Sequence, residues 1–178
     1  MAAEIEQDAA RGPIGRMLAA DHARLDALLN RAAADPERID PVPYGEFRRA
    51  LLKHIAMEEK ILLPAAQRLN GNQALAAAAR IRLDHGAIAA LLVPTPTPRI
   101  VAALRAILNA HNQLEECRGG VYEDCDRLAA AESDRIVAQL RSAPEVPAAP
   151  FNDGPKVLPA ARRALARAGY DTLLPEES

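Results

Sequence analysis

Four histidines occur in the 178-residue chain, and each interrupts an apolar stripe of helical spacing at the same point. His22 stands between Leu18 and Leu25, His54 between Leu51 and Glu58, His85 between Ile81 and Ile88, and His111 between Ile107 and Leu114. Residues three and four apart share one helix face. Each imidazole is therefore expected to point inward, with its apolar neighbours. One histidine so placed is usually a core residue with a local partner. Four, one per segment, require a shared partner, because burying a polar group costs free energy unless it is bonded. Glu58 follows His54 by one turn, and Glu115 follows His111 in the same way. The two carboxylates would converge and repel each other, and one or two divalent cations remove that repulsion. Imidazole with carboxylate suits iron, with zinc and manganese as rivals.

The pattern occurs twice. Asp21-His22-Ala23, followed by Leu25, Ala27, Leu28 and Leu29, matches Asp84-His85-Gly86, followed by Ile88, Ala90, Leu91 and Leu92. Leu51, His54, Met57, Glu58 and Glu59 match Leu108, His111, Leu114, Glu115 and Glu116. The apolar frame repeats along with the polar residues. Two helix pairs about a pseudo-twofold axis would present a quasi-symmetric dinuclear site.

Punctuation by proline and glycine supports that division. Helices are expected over residues 13–34, 44–69, 73–92 and 99–117, with Pro64 kinking or shortening the second. The run from Val93 to Pro98 reads as an extended linker. After Gly119-Gly120 a further helical segment over 121–141 is expected to continue past the others. Alanine and leucine dominate while aromatic residues make up 3% of the chain, which favours an all-α fold. Short connections favour antiparallel neighbours, so the expected architecture is an up-down-up-down four-helix bundle. It would occupy residues 1–142 together with its helical extension. Residues 143–178 read as a proline-rich tail with one short helix over 158–168. That helix would pack along the bundle by Leu158, Ala161, Leu165 and Ala168, or offer Arg162, Arg163 and Arg167 to a protein partner.

These residues resemble the hemerythrin-like (HHE) family, whose pattern is histidine, His-x-x-x-Glu, histidine, His-x-x-x-Glu. The resemblance covers about residues 14–120. It implies that His22, His54, His85 and His111 are terminal iron ligands. It further implies that Glu58 and Glu115 bridge two irons, with an oxo or hydroxo group between them. Which histidines share an iron is left open. Oxygen-carrying members have a fifth histidine four residues after the third-helix ligand, where this chain has Ala89. The departure argues against simple oxygen storage. It favours a protein that binds or reacts with a small ligand such as oxygen, nitric oxide or peroxide. The alternatives are a di-iron redox enzyme, an iron-delivery or stress-repair protein, and a partner-binding helical protein with a structural metal site. Asp26, one turn after His22, is a weaker ligand candidate.

Asp21, Asp84, Glu59 and Glu116 flank the ligand candidates and could accept an N–H from an imidazole on a neighbouring helix. Tyr122, two turns past Glu115, would either approach the site as a further hydrogen-bonding residue beside the ligand candidates or pack below it, and Tyr44 is similar. Cys117 and Cys125 would lie about 12 Å apart on an unbroken helix, too far for a disulfide, but the glycines between them leave room for a redox pair. Ferritin-like sites use Glu-x-x-His, and no histidine here has glutamate three residues before it. Neither His-Glu-x-x-His nor Cys-x-x-Cys is present. A net charge of −2 gives no electrostatic case for nucleic acid. No apolar run is long enough for a membrane span. Glu4, Glu6 and Asp8 argue against a signal peptide, and the two cysteines suit a reducing cytoplasm.

Overall fold

The computed structural model describes residues 11–175, so Glu4, Glu6 and Asp8 lie outside it. Those residues form helices and loops, with no strand among them. Helix α1 spans Pro13–Ala32, and α2 spans Pro41–Met57. The chain then runs through a π-helical turn, Glu58–Leu62, into α3, Leu63–Leu69. Helices α4 (Ala78–Leu91) and α5 (Pro98–Glu116) follow. After them come α6 (Val121–Leu128), α7 (Ser133–Arg141) and α8 (Val157–Arg167).

Helix α2 begins three residues earlier than the sequence suggests. Pro41 and Pro43 read as loop, yet both sit in its first turn, where a missing N–H costs nothing. The Asp40 carboxylate caps that turn by accepting the Val42 N–H at 2.9 Å. Pro64 does not end the helix. Its ring would collide with the Lys60 carbonyl in a regular α-turn, and the chain widens instead, so that the Leu63 N–H bonds Glu58 O. Helix α4 starts later than expected because Gly71 and Asn72 both take positive φ, 66° and 65°, and turn the chain first.

The core falls into two apolar clusters. One holds Leu25, Leu29, Phe47, Leu51, Ile88, Leu91, Leu104 and Ile107. The other holds Ile14, Leu18, Met57, Leu62, Ile81, Val121, Tyr122, Ile136 and Leu140. Helices α1 and α4 pass from the second cluster to the first, whereas α2 passes from the first to the second. Helix α5 begins in the first cluster, and its Leu114 packs against the second. All four histidines lie at the crossing level between the clusters.

The segment after Gly119-Gly120 departs most from expectation. It is two helices, not one, and both pack back on α1. A straight helix would carry Ile136 and Leu140 beyond the core. The turn after Leu128 lets them join Val121 and Cys125 in the second cluster. Gly119 takes φ +75°, and a Cβ on Gly120 would lie 2.7 Å from the carbonyl oxygens of Cys117 and Glu115. Backbone cannot give way there as a flexible side chain would. Gly120→Ala is therefore expected to displace α6 and lower stability by about 2 kcal/mol or more. Denaturant unfolding would measure it.

Helix α6 is also fixed from the other side. The Asp126 carboxylate accepts the N–H groups of Ile14 and Gly15, at 2.9 and 3.0 Å, at the start of α1. A Cβ on Gly12 would fall 2.3 Å from Asp126 Cγ. Glycine at position 12 is what lets that carboxylate dock.

The proline-rich segment lies along the body. Arg48, 8% exposed, donates from Nε to Leu92 O at 2.8 Å and from Nη1 to Ala149 O at 2.6 Å, and stacks 4.5 Å from the Phe151 ring centroid. Helix α8 then packs on α4, burying Ala161, Ala164, Leu165 and, just beyond its end, Ala168. Leu158, expected on the same face, is 39% exposed. Arg162 donates from Nε to Leu174 O at 3.0 Å.

Candidate metal centre

The helical spacing of each stripe delivers its histidine to one level of the interior. His22, His54, His85 and His111 are all buried, as are Glu58 and Glu115. Their inner nitrogens face the two glutamates. His54 Nε2 lies 3.4 Å from Glu58 Oε1, and His85 Nε2 lies 3.1 Å from Glu58 Oε2. His22 Nε2 and His111 Nε2 lie 3.5 and 3.2 Å from Glu115 Oε2.

Two overlapping groups could each hold a metal ion: His22, His54, Glu58 and Glu115, and Glu58, His85, His111 and Glu115. Within each group one ligand atom per residue lies within 4.8 Å of the others. Both glutamates belong to both groups. Asp26 belongs to neither; it is exposed and accepts a hydrogen bond from Asn30.

The outer nitrogens meet the four flanking acids in a cyclic order. Asp21, beside His22 on α1, accepts from His54 Nδ1 at 2.9 Å. Glu59, after Glu58, accepts from His85 Nδ1 at 2.8 Å. Glu116, after Glu115, accepts from His22 Nδ1 at 2.6 Å. Asp84, beside His85, faces His111 Nδ1 at 3.6 Å. Each acid precedes or follows one candidate ligand and serves the histidine of another helix. With Nδ1 protonated and bonded outward, Nε2 keeps its lone pair inward, the tautomer a metal ligand needs.

Each of these acids in turn meets an arginine. Arg24 pairs with Asp21 at 2.7 Å, Arg82 with Glu59 at 3.2 Å, Arg11 with Glu116 at 2.8 Å and Arg80 with Asp84 at 3.1 Å. The sequence reading did not find these arginines. For Arg24 and Arg80 a signal was present, since they stand three residues after Asp21 and four before Asp84. The four outer pairs cancel in charge. Glu58 and Glu115 are left as the inner negative charge, which a cation would neutralise.

Several inner atoms lack hydrogen-bond partners. His54 Nε2, His85 Nε2 and Glu58 Oε2 are all buried without one, near each other but misaligned. Orphaned groups of this kind, lone pairs facing a common point, fit a bound cation.

Protons hold the cluster together when no cation is present. Burial opposes charge on His54, yet Glu58 and Asp21 outweigh it and hold its pKa up at about 10. The same opposition at His111 is overcome by Asp84 and Glu115, again to about 10. Burial also works against the Glu58 carboxylate, but the neighbouring His54 and His85 imidazoles keep it well below the usual carboxylate range. Burial and the charge on Glu58 push Glu115 up.

Of the two placements open to Tyr122 in the sequence, the structure has the one inside the site: it enters rather than packing below, 1% exposed. Its hydroxyl donates to Glu58 Oε1 at 2.6 Å and lies 3.1 Å from Glu115 Oε2 and 3.2 Å from His22 Nε2. Its position depends on the Gly119-Gly120 turn, and helical counting through that break could not supply it. Tyr44 does lie away from the site, against Phe47 and Phe151. Cys117 is exposed and Cys125 buried, both as free thiols, and burial pushes the Cys125 thiol up.

On the first-cluster side, a cavity of about 70 Å³ reaches His22, His54 and His111 between Leu25, Leu29, Phe47, Leu51 and Ile88. Its size suits one or two water-sized molecules.

Removing one outer acid is expected to weaken metal binding without emptying the interior. Glu116→Ala should reduce affinity by about 10- to 100-fold, as loss of an imidazole's hydrogen-bond partner does elsewhere. Competition against a metal indicator would measure it.

No protein-family model matches the chain, and neither a curated protein nor a solved structure is matched by it.

Proposed function

We propose that this chain is a hemerythrin-like protein that binds two irons, with an oxo or hydroxo group between them, and uses them to bind or react with a small ligand: oxygen, nitric oxide or peroxide. The observation that carries this reading is that two four-residue ligand groups share both Glu58 and Glu115. Shared carboxylates between two histidine pairs are what a bridged dinuclear centre requires. In this reading His22 and His54 serve one iron, and His85 and His111 the other. Asp21, Asp84, Glu59 and Glu116 orient them.

The opposite passage of α1 and α4 relative to α2 through the two clusters favours an antiparallel four-helix bundle over residues 1–142. Residues 143–178 would form an appended tail. The cavity beside the histidines supports a small ligand, because its volume of about 70 Å³ leaves little room for a larger one. Ala89 leaves no fifth histidine to close either iron, which favours reaction over storage. Among the described residues no helix is long and apolar enough to cross a membrane. Two free thiols suit a reducing cytoplasm.

The test is metal analysis with absorption spectroscopy, then stopped-flow mixing of the reduced protein with oxygen, nitric oxide and peroxide. Two irons per chain, with oxo-to-iron bands in the oxidised state and a spectral change on mixing, are expected. A chain that takes up zinc alone, or whose iron ignores all three ligands, would overturn the reading.

A further inference from the structure

Tyr122 gives the two ligand groups different surroundings. Its hydroxyl contacts Glu58, Glu115 and His22, three residues of the first group, and neither histidine peculiar to the second. The duplication offers no counterpart. Tyr122 stands seven residues after Glu115, and seven residues after Glu58 stands Ala65, which has no donor atom.

The contact distances are informative. Donor atoms on adjacent corners of an octahedral ion with bonds of about 2.1 Å lie about 3 Å apart. The phenol oxygen lies 2.6, 3.1 and 3.2 Å from three candidate ligand atoms. It is fully buried with them and held from two directions. The Gly119-Gly120 turn fixes the start of α6, and Asp126 ties α6 to α1. A Cβ at Gly15 would lie 3.3 Å from Tyr122 Cβ, so the tyrosine is in close contact with α1 as well. Phenolate oxygen is a good ligand for ferric iron.

We propose that Tyr122 is a metal ligand, binding through its phenol oxygen to the ion held by His22 and His54. The proposal rests on the dinuclear reading above. On binding, the O–H bond breaks as the oxygen–iron bond forms. The proton leaves to solvent, and no electron is transferred. The two ions are then chemically unequal, the first with a phenolate oxygen and the second without one.

The experiment loads the full chain with ferrous iron, oxidises it in air and records iron content, visible absorption and resonance Raman spectra. The expected result is a phenolate-to-iron charge-transfer band in the visible, with tyrosinate ring modes enhanced on excitation into it. Tyr122→Phe should lose band and modes completely even in the fraction that holds iron, and Tyr44→Phe and Tyr170→Phe should retain both. Wild-type protein tests the idea even if the variant fails to fold. Two irons without tyrosinate modes would show that the phenol stays a hydrogen-bond donor to Glu58, which overturns the proposal and leaves the dinuclear reading intact. No iron uptake would overturn both, and the metal count tells the two failures apart.

Discussion

Glu58→Gln should empty the centre of both metals, whereas His22→Ala should cost one. Glu58 belongs to both ligand groups, but His22 belongs to only one. The amide keeps the shape of the side chain and can still accept from Tyr122, so the fold should persist by circular dichroism. What it lacks is charge. With Glu58 neutral, Glu115 alone offsets the cations, and a dinuclear site loses half its inner negative charge. Metal content after gel filtration should fall to near zero for Glu58→Gln and to about half the wild-type value for His22→Ala. Equal loss in the two variants would mean that the groups fill cooperatively. Retention of both metals in Glu58→Gln would remove the shared carboxylate from the account.

The second large effect is on stability, and it depends on pH. In the metal-free protein His54 and His111 carry folded-state pKa values of about 10, against 6.5 for a free imidazole. A raised histidine pKa stabilises the fold fully below the unfolded value and loses that contribution as pH rises through the folded one. The metal-free protein is thus expected to lose stability, on the order of a few kcal/mol, between pH 6.5 and 10. A bound cation displaces those protons, so its affinity rises over the same range. Metal at about a thousand times its dissociation constant adds about 4 kcal/mol, which for a chain of this size is about 10–15 °C in Tm. The gap between chelated and loaded protein should widen from pH 6.5 to 9. A gap that narrows, or a metal-free Tm that rises with pH, would contradict the protonated cluster. Calorimetry with and without chelator measures both.

The candidate site was legible in the sequence because five of its six candidate ligands lie in regular helix and Glu58, at the start of the π-helical turn, directly follows one. Where a helix is unbroken, spacing fixes the face, and the stripes around His22, His54, His85 and His111 gave the correct inward side. The duplication added the flanking acids Asp21, Asp84, Glu59 and Glu116, whose outward pairing follows from their place beside a ligand. The sequence leaves Tyr122 between two placements for a physical reason. It follows a turn whose direction depends on the carbonyls that crowd Gly120 and on the distant Asp126 carboxylate. Neither is visible in local periodicity. The break between α6 and α7 was hidden in a similar way, since Ala129, Ala130 and Ala131 are good helix formers and tertiary packing overrides them. Pro64 does disturb the helix, as its place in the sequence suggests, and the π-helical turn absorbs it at the level of Glu58.

Arg48 works as a buckle between the helical body and the proline-rich strap that crosses it. Its guanidinium joins the end of α4, at Leu92, to the strap at Ala149 and Phe151. A polypeptide cut short at residue 142 would leave that cation without Ala149 and Phe151, and would uncover the surface of α4 where Ala161 and Leu165 rest. The strap and the helices beneath it should accordingly melt in a single step, with protease cleavage near Pro150 loosening both together.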